Sequence, residues 1–280
     1  MKSVFPYPGG KAKLADWIVS HFPDHGCYVE VFSGSAAVLV SKPETRVEVL
    51  NDLDGDIVHF FKTLRDRGNE LREWLRNTPF SRELHDEYAT EFYDGKRPDD
   101  DIERAGKFFY LRSTQFSTKY ASKSGFATSK HPQVDQAGAY MNRAADLDEF
   151  SDRLRDVVIE SKDFGDMFDT YDGAETLFYC DPPYVGPGDS LYSHGGEFEH
   201  RRLMERVAEL EGKVIISYED LPESTPESFY VAEKGTTYSM GTNGHDERKE
   251  ATERLVMNFD PEEVTPFAGV DQANLEAFGD

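Results

Sequence analysis

The sequence has 280 residues, which is enough for one large domain or for one domain that carries an insertion. Its 54 acidic and 31 basic residues give a formal net charge of −23, which opposes long-range attraction to any polyanion. No apolar run approaches the roughly 18 residues of a membrane span and no signal peptide is recognisable, so a cytoplasmic protein with no membrane partner is expected.

The charge and the cysteine content support two further expectations. The charge fits either an acidic protein that binds a partner or a salt-loving host or its virus, where screening is short-ranged and surface carboxylates hold water and cations. The second explanation is preferred because the acids are spread along the whole chain. The two cysteines, Cys27 and Cys180, form no C-x-x-C pair and the eight histidines are scattered, so no metal site or disulfide is expected.

The first elements of the chain are typical of a fold that binds a nucleotide-like ligand. The segment S-V-F-P-Y-P-G-G-K precedes a predicted helix from Lys11 to about His21. Its glycines can present N–H groups to an anion, although a simple turn explains them equally well. A strand at Tyr28–Phe32 then ends in the small residues Ser33–Ala37, which feed a predicted helix. Small residues there let a ligand approach the backbone closely, but the full G-x-G-x-x-G pattern is absent.

A second strand, Val47–Asp52, ends in an acid. Asp52 is placed to accept hydrogen bonds from the hydroxyl groups of a ribose. The alternative is that Asp52 or Asp54 caps the helix predicted from Gly55 to about Arg67. Beyond that helix, apolar residues recur every three or four positions up to about Leu111, which predicts further helices.

The residues from Arg104 to Val134 contain no Asp or Glu but hold six basic residues, with Phe116, Tyr120 and Phe126 among them. Such a stretch in an acidic protein predicts a surface that faces phosphates, with aromatic side chains for bases. The alternative is a basic loop that balances neighbouring acids. The basic residues are Arg104, Lys107, Arg112, Lys119, Lys123 and Lys130.

The second half of the chain alternates between helices and strands. The pattern predicts a helix at 136–155, a strand at 157–160, a turn at Asp163-Phe164, a helix at 202–210, a strand at 213–218 and a strand pair at 230–232 and 254–259. Beyond Pro261 the chain is acidic and is expected to fray.

The stretch T-L-F-Y-C-D-P-P-Y-V-G, at 176–186, is the most informative. Its apolar run predicts a buried strand that stops abruptly at Asp181. Ligands of open α/β sheets bind beyond the carboxyl ends of the strands, and two prolines hold a carboxylate and an aromatic ring rigidly. The simpler alternative is a proline turn with a solvated aspartate. The predicted catalytic residues are Asp181, Pro182, Pro183 and Tyr184.

These motifs, in this order, resemble the DNA adenine-N6 methyltransferases of the Dam family, the D12 class. The resemblance extends from Phe5 to about Phe259 and is carried by P-Y-P-G-G-K, V-E-V-F-S-G-S, L-N-D-L-D-G-D-I and D-P-P-Y. It implies an α/β fold: a Rossmann-like sheet of the S-adenosylmethionine-dependent methyltransferases with a mainly helical target-recognition insertion. The implied catalytic, cofactor-binding domain comprises 1–57 and 156–265, the insertion comprises 58–155, and an acidic tail comprises 266–280.

The resemblance also implies roles for particular residues. The cofactor S-adenosylmethionine would be bound by Tyr7, Gly10, Lys11, Glu30, Phe32, Gly34, Asp52, Asp163 and Phe164. Double-stranded DNA is the expected partner, contacted by Arg112, Lys119, Lys123, Phe126, Lys130, Arg248 and Lys249. Two closing patterns of the family are matched through Ser217, Asp220, Asn243, Gly244, Arg248, Lys249 and Glu253. One departure is that the second glycine of the cofactor turn is replaced, which leaves Gly34-Ser35-Ala36.

The residues of the D-P-P-Y loop predict a chemistry. Asp181 and the carbonyl of Pro182 can each accept a hydrogen bond from the N6 amine of adenine, which turns its lone pair towards the methyl donor. Tyr184 would stack on a base flipped out of the duplex. The predicted function is site-specific methylation of adenine N6 by a monomer, and the resemblance suggests GATC-like sites. The alternatives are methylation of cytosine N4, of RNA or of a protein amide, and a non-catalytic DNA-binding module; a link to restriction and modification stays open.

Overall fold

The computed structural model describes residues 3–7, 11–116, 123–129, 131, 133–183, 198–239 and 248–267, with side chains for all of these except 237–239 and 248–250. The described strands are β1 (Cys27–Glu30), β2 (Val47–Asn51), β3 (Val158–Glu160), β4 (Thr176–Cys180), β5 (Lys213–Tyr218), β6 (Tyr230–Ser239) and β7 (Arg248–Met257). A 3-10 helix at Lys11–Lys13 is followed by α1 (Ala15–Ser20), α2 (Gly55–Asn77), α3 (Arg82–Tyr93), α4 (Asp101–Thr114), α5 (Gln136–Arg153), α6 (Phe164–Tyr171) and α7 (His200–Val207).

The seven described strands form one sheet in the order β3-β2-β1-β4-β5-β7-β6. The first five strands of this order pair in parallel, whereas β7 runs antiparallel to both β5 and β6. Because β1, β2 and β4 run the same way, their carboxyl ends meet at one edge, which is where ligands of open α/β sheets bind. The prediction of an α/β fold with a Rossmann-like sheet is confirmed.

Both faces of the sheet are buried, which explains the continuous apolar runs of the central strands. Since successive side chains of a strand point to opposite faces, Tyr28 of β1 and Tyr179 of β4 join one core cluster while Val29 and Phe178 join another. The first cluster packs against α1, α2, α4 and α5, and the second packs against α6 and α7. Among the ranges described, no helix combines the length and the apolar character that crossing a bilayer would need.

The helices between β2 and β3 share their core with the sheet. The predicted boundary at 57/58 lies inside α2, and α2 kinks at Arg67, where the sequence had predicted its end. Helices α2 and α4 pack closely against each other. A Cβ at Gly106 of α4 would overlap the ring of Trp74 of α2. Tyr140 of α5 donates a hydrogen bond to the carbonyl of Leu75 at 2.9 Å. The helices of the predicted insertion 58–155 therefore share the core of the sheet. The division of the chain into a catalytic domain and an insertion stays a proposal about their functions.

The prediction of a helix after the small residues Ser33–Ala37, which follow β1, is wrong. Residues 34–41 form consecutive turns instead. Gly34 and Ala36 have positive φ values of 47° and 55°, which an α-helix cannot contain. The carboxylate of Glu30 accepts the N–H of Leu39 at 2.8 Å and so holds the turns against β1.

Two further predictions need correction. The predicted turn at Asp163-Phe164 is the start of α6, where the Asp163 carboxylate accepts the Gly165 N–H at 2.9 Å as a helix cap. The chain beyond Pro261 was expected to fray, but it packs against the domain up to Phe267. Phe267 is 7% exposed and stacks on His25, with ring centroids 4.3 Å apart. Its N–H donates to the carbonyl of Phe22 at 3.0 Å.

Candidate active site

The loops after β1 and β2 are joined by the carboxylate of Asp52. The N–H of Gly34 donates to Asp52 Oδ2 at 2.9 Å, and the N–H of Asp54 donates to Asp52 Oδ1 at 2.9 Å. Asp54 caps α2, since its carboxylate accepts the N–H groups of Asp56 and Ile57. The capping alternative is therefore right for Asp54. Asp52 holds the turn that follows β1, and its contact with a ribose stays a prediction.

The turn after β1 is shaped by Gly34 and by the ring of Tyr7. A Cβ at position 34 would meet the Tyr7 ring at 2.9 Å, and the φ of 47° disfavours any side chain there. The neighbouring Ser33 is 4% exposed, and its Oγ has no hydrogen-bond partner within the described part of the chain. A buried hydroxyl of this kind can bond to a water or to a ligand that reaches the turn.

An aromatic cluster flanks this turn. The ring of Phe32 lies 6.2 Å from that of Phe164 and 5.5 Å from that of Phe198, centroid to centroid. Arg202 of α7 lies over the Phe164 ring at 4.4 Å and forms an ion pair with Asp163. Asp163 and Phe164, both predicted cofactor residues, therefore lie at the start of α6 beside Phe32.

Glu30 lies beneath the turn. It is 2% exposed, and its Oε2 accepts hydrogen bonds from the hydroxyl of Tyr28 at 2.9 Å and the N–H of Leu39 at 2.8 Å. Burial raises the pKa of the Glu30 carboxyl to about 8, against the opposing effect of those two donors. The contacts of Glu30 support the turn from below.

The catalytic loop begins with a buried ion pair. Lys11 Nζ lies 2.7 Å from Asp181 Oδ1 and 3.6 Å from Glu253 Oε1 of β7. The exposed fractions of the side chains are 3% for Lys11, 1% for Glu253 and 22% for Asp181, so the aspartate alone reaches the surface of the site.

Burial and charge act in opposite senses on this pair. Burial raises the pKa of the Asp181 carboxyl, and the Lys11 ammonium partly offsets that effect. Burial lowers the pKa of Lys11, but the carboxylates of Asp181 and Glu253 outweigh it, so the net pKa is raised and Lys11 stays charged.

Several predicted residues lie outside the described residues or without described side chains. Pro182 is buried and Pro183 is half-buried directly after Asp181. Arg248 and Lys249 lie in β7, where only their backbone is described. Those outside the described ranges are Gly10, Lys119, Lys130, Tyr184, Asn243 and Gly244.

The acid-free stretch does not form one continuous basic surface. Arg104 pairs with Asp56 at 2.9 Å, and Lys107 pairs with Glu91 and Glu103 at 2.8 Å each, so the alternative of basic residues that balance neighbouring acids is right for these two. The prediction that Arg112 contacts DNA is wrong. Arg112 is only 2% exposed, so its side chain cannot reach a phosphate at the surface. It donates to the Tyr93 hydroxyl at 3.3 Å and to Gln115 Oε1 at 3.1 Å. Lys123 is exposed and donates to Thr90 Oγ1 at 3.0 Å.

Phe116 and Phe126, two of the three aromatic residues proposed to meet bases, differ in exposure. Phe126 packs inward, with its ring centroid 4.6 Å from that of Phe80 and the Arg82 guanidinium 5.1 Å above it. Phe116 is 66% exposed. Phe116 is therefore the accessible ring of the two, whereas the predicted DNA contact Phe126 packs within the helical layer.

The sequence did not assign roles to Ser33 and Glu253. Glu253 matched a family pattern without a stated function, and its partner Lys11 is 242 positions away in the chain. No local pattern could have joined them, because the hairpin of β6 and β7 alone brings Glu253 to the sheet position beside Lys11. Ser33 could have been noticed as a polar residue in the first turn.

The sheet with its antiparallel β7, and a carboxyl edge built from the loops after β1, β2 and β4, define an enzyme of the methyltransferase fold. The sequence model of the D12 class N6 adenine-specific DNA methyltransferases matches residues 7–240, and the chain belongs to this family. The resemblance inferred from the motifs is thereby confirmed, and with it the assignment as an adenine-specific DNA methyltransferase.

Similar proteins come from diverse sources. The chain is 25% identical over 214 residues to the Type II methyltransferase M.CviBI of Paramecium bursaria Chlorella virus NC1A, covering 72% of this chain and 77% of that protein. It is 27% identical over 210 residues to the Type II methyltransferase M.MjaIII of Methanocaldococcus jannaschii, covering 66% and 69%. It is 23% identical over 194 residues to a DNA adenine methylase of Vibrio cholerae, covering 66% and 65%.

Proposed function

We propose that this protein transfers a methyl group from S-adenosylmethionine to N6 of an adenine flipped out of duplex DNA. The observation that carries the proposal is the position of Asp181, which follows β4 with one side reaching the surface and the other held by Lys11. β4 pairs directly with β1, so this carboxylate lies beside the turn that Gly34 and Asp52 form.

The residues around the first turn fit a cofactor of this type. Ser33 Oγ is a buried hydroxyl that can bond to a ligand, and the backbone at Gly34 is free of a side chain. Asp52 would meet the ribose, while Phe32 and Phe164 would flank the adenine ring. When bound, S-adenosylmethionine supplies a methyl group on a positively charged sulfur.

The loop residues act on the methyl acceptor. The lone pair of adenine N6 is delocalised into the ring, which makes the amine a poor nucleophile. Asp181 and the Pro182 carbonyl would each accept one N6–H, which localises the lone pair on nitrogen and orients it. Tyr184 would stack on the flipped base.

Duplex DNA would be contacted by residues of the insertion and by the hairpin of β6 and β7. We propose phosphate contacts for Lys119, Lys123, Lys130, Arg248 and Lys249 and a base contact for Phe116. The recognition sequence is proposed to be short, with GATC as the first sequence to test. The proposed assembly is a monomer.

Methyl transfer is tested by incubating the protein with methyl-labelled cofactor and duplex DNA, followed by mapping of the labelled base. We expect N6-methyladenine in the wild type. Asp181→Ala should bind the cofactor but lose methylation, whereas the control Asp156→Ala, at an exposed residue, should remain active. Label on cytosine N4, or an Asp181→Ala variant with activity near wild type, would overturn the proposal.

The same assay tests the interpretation of the charge. With a net charge of −23, we propose a host of high internal salt, because screening relieves repulsion among the carboxylates. Methylation should then rise between dilute buffer and molar potassium chloride. Activity that is highest in dilute buffer contradicts the salt-loving host, and it leaves the methyl transfer itself unaffected.

A further inference from the structure

Lys11 contacts the catalytic loop rather than the turn after β1. Its Nζ lies 2.7 Å from Asp181 Oδ1, with Glu253 Oε1 3.6 Å away. All three groups come from different parts of the chain: the N-terminal segment, the end of β4 and the middle of β7. The resemblance had suggested cofactor binding for Lys11, and this geometry indicates another role.

The contact with Lys11 makes the two oxygens of the Asp181 carboxylate inequivalent. Oδ1 accepts a charge-assisted hydrogen bond from Lys11, which fixes the rotation of the carboxylate about its last bond. The side chain remains 22% exposed. An acceptor that is held in one orientation before the substrate arrives needs no reorganisation during the reaction.

Glu253 is a second carboxylate beside Lys11, 3.6 Å from its Nζ. It is 1% exposed, and a buried carboxylate is stable only beside a cation or strong donors. Because the Lys11 ammonium lies within ion-pair distance of both carboxylates, it stays charged, and the second carboxylate favours its present position beside Asp181. The three residues therefore form one buried group that joins the N-terminal segment, the end of β4 and β7.

We propose that Lys11 and Glu253 are positioning residues for Asp181: they fix its carboxylate so that Oδ2 accepts the amine proton of the methyl acceptor. The inference rests on the proposed methyl transfer. It assigns Lys11 to the orientation of the acceptor site and removes it from the residues that bind the cofactor.

Other titratable groups also face Asp181, and the test must account for them. Glu30 of β1, Tyr179 and Cys180 of β4 and Tyr218 of β5 all interact electrostatically with its carboxylate. Burial raises the pKa of each of these four groups. They are unchanged in the variants below, so a difference between variants reports on Lys11 and Glu253.

The test compares Lys11→Met, Lys11→Arg, Glu253→Gln and the double variant Lys11→Met with Glu253→Gln. Lys11→Met should lower kcat at pH 7 by about 100-fold and move the acid limb of the kcat profile to higher pH by about one unit, because Asp181 loses its cation. Glu253→Gln should move that limb to lower pH with a kcat loss of about tenfold or less. The substitution removes a negative charge near Asp181 and so lowers the pKa of the Asp181 carboxyl. Lys11→Arg should return the acid limb to its wild-type pH, because a cation again lies beside Asp181. It should recover only part of the wild-type kcat, since a guanidinium differs in shape from an ammonium.

Cofactor binding, measured by calorimetry, separates the two roles of Lys11. We expect the Kd for S-adenosylmethionine to change less than about threefold in Lys11→Met. A tenfold weaker cofactor with an unshifted acid limb would make Lys11 a cofactor ligand and overturn the inference. Equal losses in both single variants, with no shift of the limb in either, would show a purely structural role and overturn it as well.

Two further arms keep the test decisive. The double variant removes the buried cation and one buried carboxylate together, so it guards against a Lys11→Met protein that fails to fold, and its acid limb should lie between those of the single variants. Titration of the Asp181 carboxyl by carbon-13 NMR, assigned with Asp181→Asn, needs no turnover. A wild type that methylates no DNA would refute the proposed function, whereas an Asp181 titration that Lys11→Met leaves unchanged would refute the positioning role alone.

Discussion

The ring of Tyr7 lies against the backbone of Gly34, so close that a Cβ at position 34 would meet it at 2.9 Å. Tyr7 belongs to the N-terminal segment that also supplies Lys11, and Gly34 belongs to the turn after β1. The N-terminal segment therefore contacts both halves of the candidate site: the first turn through Tyr7 and the catalytic loop through Lys11.

The first prediction follows from this contact. Gly34→Ala should weaken S-adenosylmethionine binding by at least about tenfold, because the new methyl group forces apart the ring and the turn and because φ at 34 is positive. Gly95→Ala is the matched control: its φ is 78°, but a Cβ there would meet nothing within 4 Å. Calorimetric binding measures both. Equal effects of the two variants would show that the strained backbone, and not the Tyr7 contact, matters.

The second prediction concerns Glu30 and pH. Burial raises the pKa of its carboxyl to about 8 in the folded protein, compared with an ordinary 4.5. Between these values the folded state holds a proton that the unfolded state has lost. The contribution of Glu30 to stability is therefore full below about pH 4.5 and falls by up to about 1.4 kcal/mol per pH unit as the pH rises towards 8.

Glu30→Gln removes this dependence. Relative to the wild type, the free energy of unfolding of the variant should rise by at most about 4 kcal/mol between pH 5 and pH 8, measured by urea denaturation. Glu205→Gln, at an exposed position of α7, should show no such change. A wild type and a Glu30→Gln variant with parallel pH profiles would refute the raised pKa.

The third prediction separates Arg112 from Lys123. Arg112→Ala should lower the free energy of unfolding by about 2–4 kcal/mol, because the side chain is buried and bonded to Tyr93 and Gln115. Lys123→Ala should change stability by less than about 0.5 kcal/mol. It should instead weaken DNA binding and reduce the slope of log K against log salt by about 0.9, as the loss of one phosphate contact does.

Equilibrium unfolding and fluorescence binding at several salt concentrations make this comparison. A folded Arg112→Ala protein with a changed salt slope would restore the original assignment of Arg112 to the DNA interface.

The fourth prediction compares Phe116 with Phe126. Phe116→Ala should leave stability unchanged and weaken DNA binding, by up to about 1–3 kcal/mol where the ring stacks on an unpaired base. Phe126→Ala should lower the free energy of unfolding by about 2 kcal/mol, because its ring packs on Phe80. Unchanged DNA binding in Phe116→Ala would exclude that residue from the interface.

The sequence by itself determined the parts of this protein that depend on neighbouring residues. Alternation of apolar runs with turns located the strands of the sheet, and the proline pair after β4 located Asp181. The segment P-Y-P-G-G-K was recognised because its prolines and glycines stand side by side. These features carry the family, since each is a short pattern with a local physical cause.

The tertiary structure alone decided which groups meet. Lys11 and Asp181 are 170 positions apart, and only the order of strands in the sheet brings them to 2.7 Å. Arg112 looked like a surface cation, but packing against neighbouring helices buries it, and periodicity does not specify which face of α4 those helices cover. Chain patterns report local preference, whereas burial and ion pairing depend on long-range contacts, and the roles of Lys11 and Arg112 therefore followed from the fold.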